Sequence, residues 1–294
     1  HALTIAGLRN EGFHPQNNVT SATPATLTIS NSAAFAFGSR ITGGVAIDKR
    51  GAGTQTLFGT NTHTGDTTVY GGRLVVGNRL SLQNSTLNLQ INNGAALSND
   101  TSFVLGGLAG SGNLGLTNLA GSAVTLLVGN NGASTVYSGS LDGGGGLTKI
   151  GSGELDLTGV NSYASATVVS NGLLSVNGRH FGGAGYTVAS GGTLGGTGII
   201  DAAIQVLANG IVAPGNSIGT LTISNNFDLD GILQIELANA AGLAGSSDLL
   251  GVNGFFDITN GVVQFVFTGT MTNDHYIFAQ YDTFSGGPFL DVQN

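Results

Sequence analysis

The sequence holds no cysteine and no tryptophan, and only one methionine and four prolines, in 294 residues. Without cysteine there is neither a disulfide framework nor a thiolate metal site. Charge is equally scarce: Asp, Glu, Lys and Arg together make up 8% of the chain, against about 25% in a typical domain. No apolar run approaches the roughly 20 residues needed for a membrane-spanning helix. The opening HALTIAGL has neither an initiator Met nor a basic segment ahead of an apolar run. A mature or trimmed chain is therefore expected, with any signal segment outside it.

What is present in quantity is glycine. It contributes 51 residues, more than twice the usual ~7%. Low charge combined with 40% hydrophobic content excludes simple disorder, which requires high charge and little to bury. Glycine follows no strict triplet and proline is rare, which excludes collagen. The remainder is rich in Asn, Thr, Ser, Leu and Val, the residues of short strands and tight turns. An all-β protein is predicted.

The few charges are unevenly placed. All eight basic residues lie at or before Arg179, and nine acidic residues follow it. Residues 1–179 carry eight basic and seven acidic groups, so the net charge of −8 resides in the last part. Nucleic acid is excluded as a partner, because phosphates call for clustered Lys and Arg. The acidic end reads either as a solubilising end-domain or as an electrostatic bias in end-to-end contacts between copies.

Two stretches say nearly the same thing 100 residues apart. Gly44–Gly77 and Gly144–Asn177 share Lys49/Lys149, Gly51/Gly151, Gly53/Gly153, Leu57/Leu157, Gly59/Gly159 and Asn61/Asn161. The match continues through Thr67/Thr167, Val69/Val169, Gly72/Gly172, Leu74/Leu174 and Val76/Val176. Upstream, Asn31 faces Asn131 and Phe37 faces Tyr137, which makes a tandem copy of about fifty residues. Within each copy the grammar is strand, turn, strand. ELDLTG (154–159) alternates polar and apolar, placing Leu155 and Leu157 on one face. ATVVSNGLLSVNG (166–178) gives two short strands around the turn dipeptide Asn171-Gly172.

Such short strands suit either a closed sandwich or barrel or a solenoid whose coils stack on their neighbours. Strand-turn units continue for more than two hundred residues, and one coil cannot bury its own apolar face. A right-handed parallel β-helix is therefore predicted over 24–225, behind an N-terminal arm or cap at 1–23. Near residue 225 the strands become longer and more aromatic: eight of the fourteen phenylalanines lie at or after Phe227. A C-terminal β cap is predicted at 226–294, closing an end that would otherwise expose unpaired strand edges.

The words of the repeat also resemble a known family. GGLTKIGSGELDLTGVNSYASATVVSNGLLSVNG is similar to the autotransporter-associated β-strand repeat of bacterial surface proteins, through Lys149, Gly151, Gly153, Gly159, Asn161 and Tyr163. VAPGNSIGTLTISNNFDLDGILQIEL followed by SDLLGVNG resembles the C-terminal part of autotransporter passenger domains, centred on Pro214, Gly215 and Asn216. The two stretches cover most of 27–255. The resemblance implies a secreted β-helix displayed on, or released from, a bacterial surface. A complete autotransporter also has a membrane β-barrel, which this sequence does not contain. The final AQYDTFSGGPFLDVQN resembles the region before the sorting tail of PEP-CTERM-type surface proteins.

Candidate chemistry is thin. Glu154 and Asp156, like Asp228 and Asp230, are two residues apart and could in principle form a catalytic pair or a cation site. Alternation with inward leucines instead leaves them on a solvated face. No histidine has a second His or Cys at ligand spacing. Gly215 and Gly219 bracket Ser217 at the spacing of a nucleophile elbow, but the strand-to-helix context is missing. The GGGG run at 143–146 lacks the Lys and helix of a phosphate loop. No catalytic residue, cofactor or metal is expected. The residues singled out are structural: Lys49, Gly51, Gly53, Gly59, Asn61 and Gly72, their counterparts Lys149, Gly151, Gly153, Gly159, Asn161 and Gly172, and Pro214, Gly215 and Asn216.

The expected function is a non-enzymatic structural or adhesive protein of the bacterial surface or extracellular space. Expected partners are other copies, end to end, or a host or matrix surface. The alternative is a carbohydrate-active enzyme or carbohydrate-binding module on the same scaffold. That reading requires a groove of aromatics and acids, for which Tyr70, Tyr137 and Tyr163 are the aromatic candidates on the repeats.

Overall fold

A strand of three to five residues cannot stand alone, and here each finds its partner about twenty residues along the chain. The computed structural model describes residues 2–10, 17–238, 247–268 and 276–285, with the backbone of 292–293. Among them there is no helix. The strand ladders run parallel, and antiparallel contacts are isolated bridges such as Thr117–Ala123 and Leu237–Ser247. Parallel partners one coil apart, repeated along the chain, define the predicted β-solenoid. Contacts divide the chain into two units, residues 1–155 with 162–164 and residues 156–161 with 165–294.

In the first unit, three columns of inward residues wall the coil. One runs Ile29, Lys49, Val69, Leu89, Gly110 and Tyr137. A second runs Phe37, Leu57, Val76 and Leu97. The third runs Leu82, Leu105, Val128 and Lys149. One turn of the chain therefore visits Lys49, Leu57 and Asn61 before returning to Val69 on the first wall. Alternation does the sorting: Leu155 and Leu157 are buried between partly exposed Glu154 and Asp156. Ile29, Ile47, Leu57, Leu74, Leu89 and Leu105 have no exposed surface at all, and each contributes roughly 1.5–3 kcal/mol of burial.

An inward polar side chain can be satisfied by the backbone it meets. Gln55 stands where the second copy has Leu155. Its amide donates to the Leu8 carbonyl at 2.8 Å and accepts from the Leu8 N–H at 3.0 Å. Buried amides with this kind of pairing cost little.

The second unit repeats the plan. Its columns are Val169–Val188–Val206–Leu229, Leu174–Leu194–Val212–Leu233–Val263 and Asn161–His180–Ile200–Ile223–Val252. Beyond Phe227 the parallel register persists while the coil lengthens: Leu221 faces Leu250, and Leu250 faces Ala279. Aromatic rings take over the column, Phe227 lying 5.5 Å from Phe256 and Phe256 5.9 Å from Phe284, both edge to face.

Candidate functional site

The shared phrase folds into one local device, a corner held from inside by a lysine. Lys49 has no exposed surface. Its Nζ donates to the carbonyl of Gly51, two residues on, and to that of Gly71 one coil later at 3.0 Å. Lys149 is likewise wholly buried, and its Nζ donates to the carbonyls of Ile150 at 2.7 Å and Gly151 at 2.8 Å. A buried ammonium normally needs a carboxylate, but here backbone carbonyls aimed inward at the corner serve instead. Burial pulls the Lys49 pKa below its usual value and brings Lys149 down to about 8.

Glycine makes the corner possible. Gly72 and Gly172 have φ of 65° and 67°, a left-handed conformation that costs an L-residue roughly 1–2 kcal/mol. A Cβ on Gly72 would also collide with the carbonyls of Gly51 and Gly53 and the Lys49 ammonium. Gly51, Gly53 and Gly153 pass so close to the backbone of Asn31, Ala33 and Ala133 in the preceding coil that no side chain fits. At Gly59 the obstruction is the Ser39 carbonyl and the Asn61 side chain. Asn61 bridges three coils: its Oδ1 accepts from the Ile41 N–H at 2.9 Å and its Nδ2 donates to the Ser81 carbonyl at 3.0 Å. Asn161, equally buried, donates to the Gly159 carbonyl at 3.5 Å.

The two corners do not lie on the same wall. Lys49 belongs to the column of Ile29 and Val69, whereas Lys149 belongs to that of Leu105 and Val128. The second copy is thus turned by one wall relative to the first.

A second organised turn lies at Pro214, Gly215 and Asn216. Pro214 is buried, Asn216 is exposed, and Gly215 and Ser217 have φ of 88° and 92°. Sequence reasoning missed the residue that holds this turn, Asp248, which is 3% exposed. Its carboxylate accepts the Gly219 N–H at 3.0 Å and the Glu236 N–H at 2.8 Å. Burial raises its pKa to about 6, against the lowering effect of the two N–H groups. The signal was SDLLGVNG itself, whose acid stands two residues before inward Leu250 and four before inward Val252.

The remaining candidates are dispersed. Asp156 accepts from Asn177 Nδ2 at 2.8 Å on the outer face. Asp228 is raised by burial and then by the carboxylates of Asp230 and Asp257, while Asp230 accepts from Asn260 at 2.9 Å. His63 is buried, pairs through Nε2 with Thr67 Oγ1 at 3.1 Å, and is driven down to about 4 by burial. His180 pairs with the Tyr186 hydroxyl at 2.8 Å. His1, His14 and His275 lie outside the described residues. So does 286–291, within the stretch that resembles PEP-CTERM-type proteins. Among the described residues, no three His, Cys, Asp or Glu side chains gather as metal ligands.

Of the aromatic candidates, Tyr137 and Tyr163 are fully buried. The Tyr137 hydroxyl donates to the Gly112 carbonyl at 2.6 Å, and burial raises its pKa. Tyr70 is partly exposed, with the Arg50 guanidinium 4.1 Å over its ring. Two of the three therefore line the lumen rather than an outer groove.

Fold and corners together define a parallel β-solenoid built on a repeated inward lysine. Comparison with known proteins gives that class its content. The passenger-associated-transport-repeat family matches residues 47–76 and 147–176, the two lysine corners. The chain is 40% identical over 101 residues to the adhesin BmaC autotransporter of Brucella suis biovar 1. It is 37% identical over 105 residues to an extracellular serine protease of Serratia marcescens. These alignments cover 32% and 35% of the chain but only 3% and 10% of the relatives' own lengths. Repeat, relatives and solenoid together fit an autotransporter passenger domain, with an extracellular passenger role.

Proposed function

We propose that the chain is a non-enzymatic passenger element, a structural or adhesive scaffold exposed outside the bacterial cell. The observation that carries this reading is where the reactive groups go. Both lumen lysines, Asn61, Gln55 and Asp248 spend their polar atoms on backbone N–H and C=O groups, the role of a scaffold. The serine of G-N-S-I-G sits on an exposed turn, and the buried acid beside that turn accepts backbone N–H groups rather than orienting a histidine. Nor do the repeats offer the aromatic groove that a carbohydrate site needs.

The test is to incubate purified chain with polygalacturonate, β-glucan and casein, and separately with immobilised matrix proteins and host cells. Binding without turnover is expected. Turnover that disappears on substituting Glu154, Asp228 or Ser217 would overturn the reading.

A further inference from the structure

We propose that Asn93 is a site of spontaneous chemical modification, its side-chain amide converting to a carboxylate through a cyclic imide formed with Gly94. The inference stands on the geometry of one turn and is independent of the scaffold reading.

Seven Asn-Gly dipeptides occur in the chain, and glycine, without a Cβ, leaves its backbone nitrogen unobstructed. Imide formation also needs an amide free to swing onto the chain and a glycine N–H free to turn toward it. Most of the seven sites lack one or both. Asn177 Nδ2 donates to Asp156 at 2.8 Å, its Oδ1 accepts the Thr197 N–H at 2.9 Å, and the Gly178 N–H donates to the Leu157 carbonyl at 2.9 Å. Asn131 Nδ2 donates to Thr86 Oγ1 at 3.2 Å, its Oδ1 accepts the Ala133 N–H at 3.0 Å, and the Gly132 N–H donates to Gly129 at 2.9 Å. Asn260 donates to Asp230 at 2.9 Å, with the Gly261 N–H on Ile258 at 3.1 Å. After Asn171 and Asn209 the glycine N–H groups donate at 3.1 and 2.8 Å, to Gly191 and Leu207. Asn253 lies inside the strand Leu249–Asp257, anchored by ladder pairs at Val252 and at Phe255.

Asn93 differs on both counts. It is exposed at a turn, with a φ of 56° that Asn tolerates. Among the described residues neither its side chain nor its carbonyl has a hydrogen-bond partner. The Gly94 N–H reaches the Ile91 carbonyl only at 3.4 Å, beyond the usual ~2.7–3.2 Å. What holds the turn lies on either side of that peptide. The Asn93 N–H donates to Asn113 Oδ1 at 2.7 Å in the next coil, and the Gly94 carbonyl accepts the Leu74 N–H at 2.8 Å in the preceding one. Rotating the Asn93–Gly94 peptide about these two pivots breaks only the long bond and turns the Gly94 nitrogen toward the Asn93 side chain. That nitrogen attacks Asn93 Cγ: the N–Cγ bond forms, the Cγ–Nδ2 bond breaks, and ammonia leaves with the proton that Gly94 gives up. Water then opens the imide at either carbonyl, giving aspartate, or isoaspartate where the main chain now runs through Cγ. Water enters and ammonia leaves, with no oxidant or reductant. The isoaspartate form lengthens the main chain between the two inter-coil bonds and adds a charge at the turn.

Peptide mapping by mass spectrometry tests this on the full chain, held in mildly alkaline buffer over a time course while circular dichroism confirms that it stays folded. Asn93 is expected to convert to aspartate and isoaspartate at least about ten-fold faster than Asn131 or Asn177, the factor that one or two net hydrogen bonds are worth. In urea the three should convert at similar rates, because each is then simply an Asn followed by Gly. An Asn93 that stays an amide, an Asn131 or Asn177 that converts as fast in the folded chain, or a ranking that persists in urea would each overturn the proposal.

Discussion

Lys149→Met tests the lumen lysine most directly, because its effect reverses with pH. The gap between a folded-state value of about 8 and the ordinary 10.5 is worth roughly 3 kcal/mol of preference for the neutral amine. A folded value below the unfolded one means that stability is fully present above about 10.5 and lost as pH falls through about 8. At neutral pH the wild type therefore bears that cost in full. Met removes it but leaves the carbonyls of Ile150 and Gly151 without the donor they have now, at about 1–3 kcal/mol each. The two effects nearly cancel near pH 7, so the variant's midpoint should move little there. Near pH 10 the wild type has regained most of the roughly 3 kcal/mol and the variant has gained nothing, so the variant becomes the less stable by about that amount. Urea unfolding followed by far-UV circular dichroism at both pH values reads the difference, and with m unchanged the midpoint shift is a stability shift. Subtracting variant from wild type also removes the alkaline contribution of Tyr137, common to both. Midpoints that run parallel from pH 7 to pH 10 would refute the buried, carbonyl-capped ammonium.

Gly72→Ala combines a left-handed φ with a collision against two carbonyls and should cost at least about 2 kcal/mol, lowering the thermal midpoint. Gly38→Ala, where an added Cβ meets nothing within 4 Å, is the matched control and should change stability by less than about 0.5 kcal/mol. His63, depressed to about 4 by burial, gives stability that is present above pH 6.5 and lost as pH falls through about 4, worth roughly 3 kcal/mol. His63→Gln should flatten that loss in an acid titration of stability, and an unchanged acid limb would show that the imidazole is not the group responsible.

The solenoid was legible because every local signal agreed: short alternating strands, Asn-Gly and Gly-Gly turns, and few long charged side chains. Its period was not. The visible repeat lies 100 residues apart, whereas the coil closes after about twenty, as Ile29, Lys49, Val69 and Leu89 show. Wall positions ask only for an aliphatic side chain, so successive coils diverge until a twenty-residue repeat leaves no trace in the letters. The burial of Lys49 and Lys149 was hidden for a related reason. Lysine is almost never fully buried, and nothing in one sequence says that inward-turned carbonyls await it. The offset to Gly51 and then to Gly71-Gly72 one coil later was the available sign. Asp248 escaped because it serves the turn at 214–219 from about thirty residues away. Tyr137 and Tyr163 read as candidates for an outer groove, whereas both are buried and the hydroxyl of Tyr137 reaches a backbone carbonyl from inside.

The turning of the second copy by one wall explains why the phrase can recur with so little chemistry in it. A corner closed by its own lysine and glycines makes no demand on which wall follows, and each wall accepts any inward aliphatic. The phrase can therefore be set at any corner where stacking requires it, and copies need not align along one face. What differs between copies then lies mainly outside: Thr54 and Thr56 in the first occupy the positions that Glu154 and Asp156 take in the second. Inward residues are fixed by packing density, where the loss of a few methylene groups costs kilocalories. Outward ones are free to within a few tenths. Whatever surface a scaffold of this kind recognises must accordingly be read by the outward residues of its strands and turns. Substitutions there should alter binding while leaving the unfolding midpoint where it was.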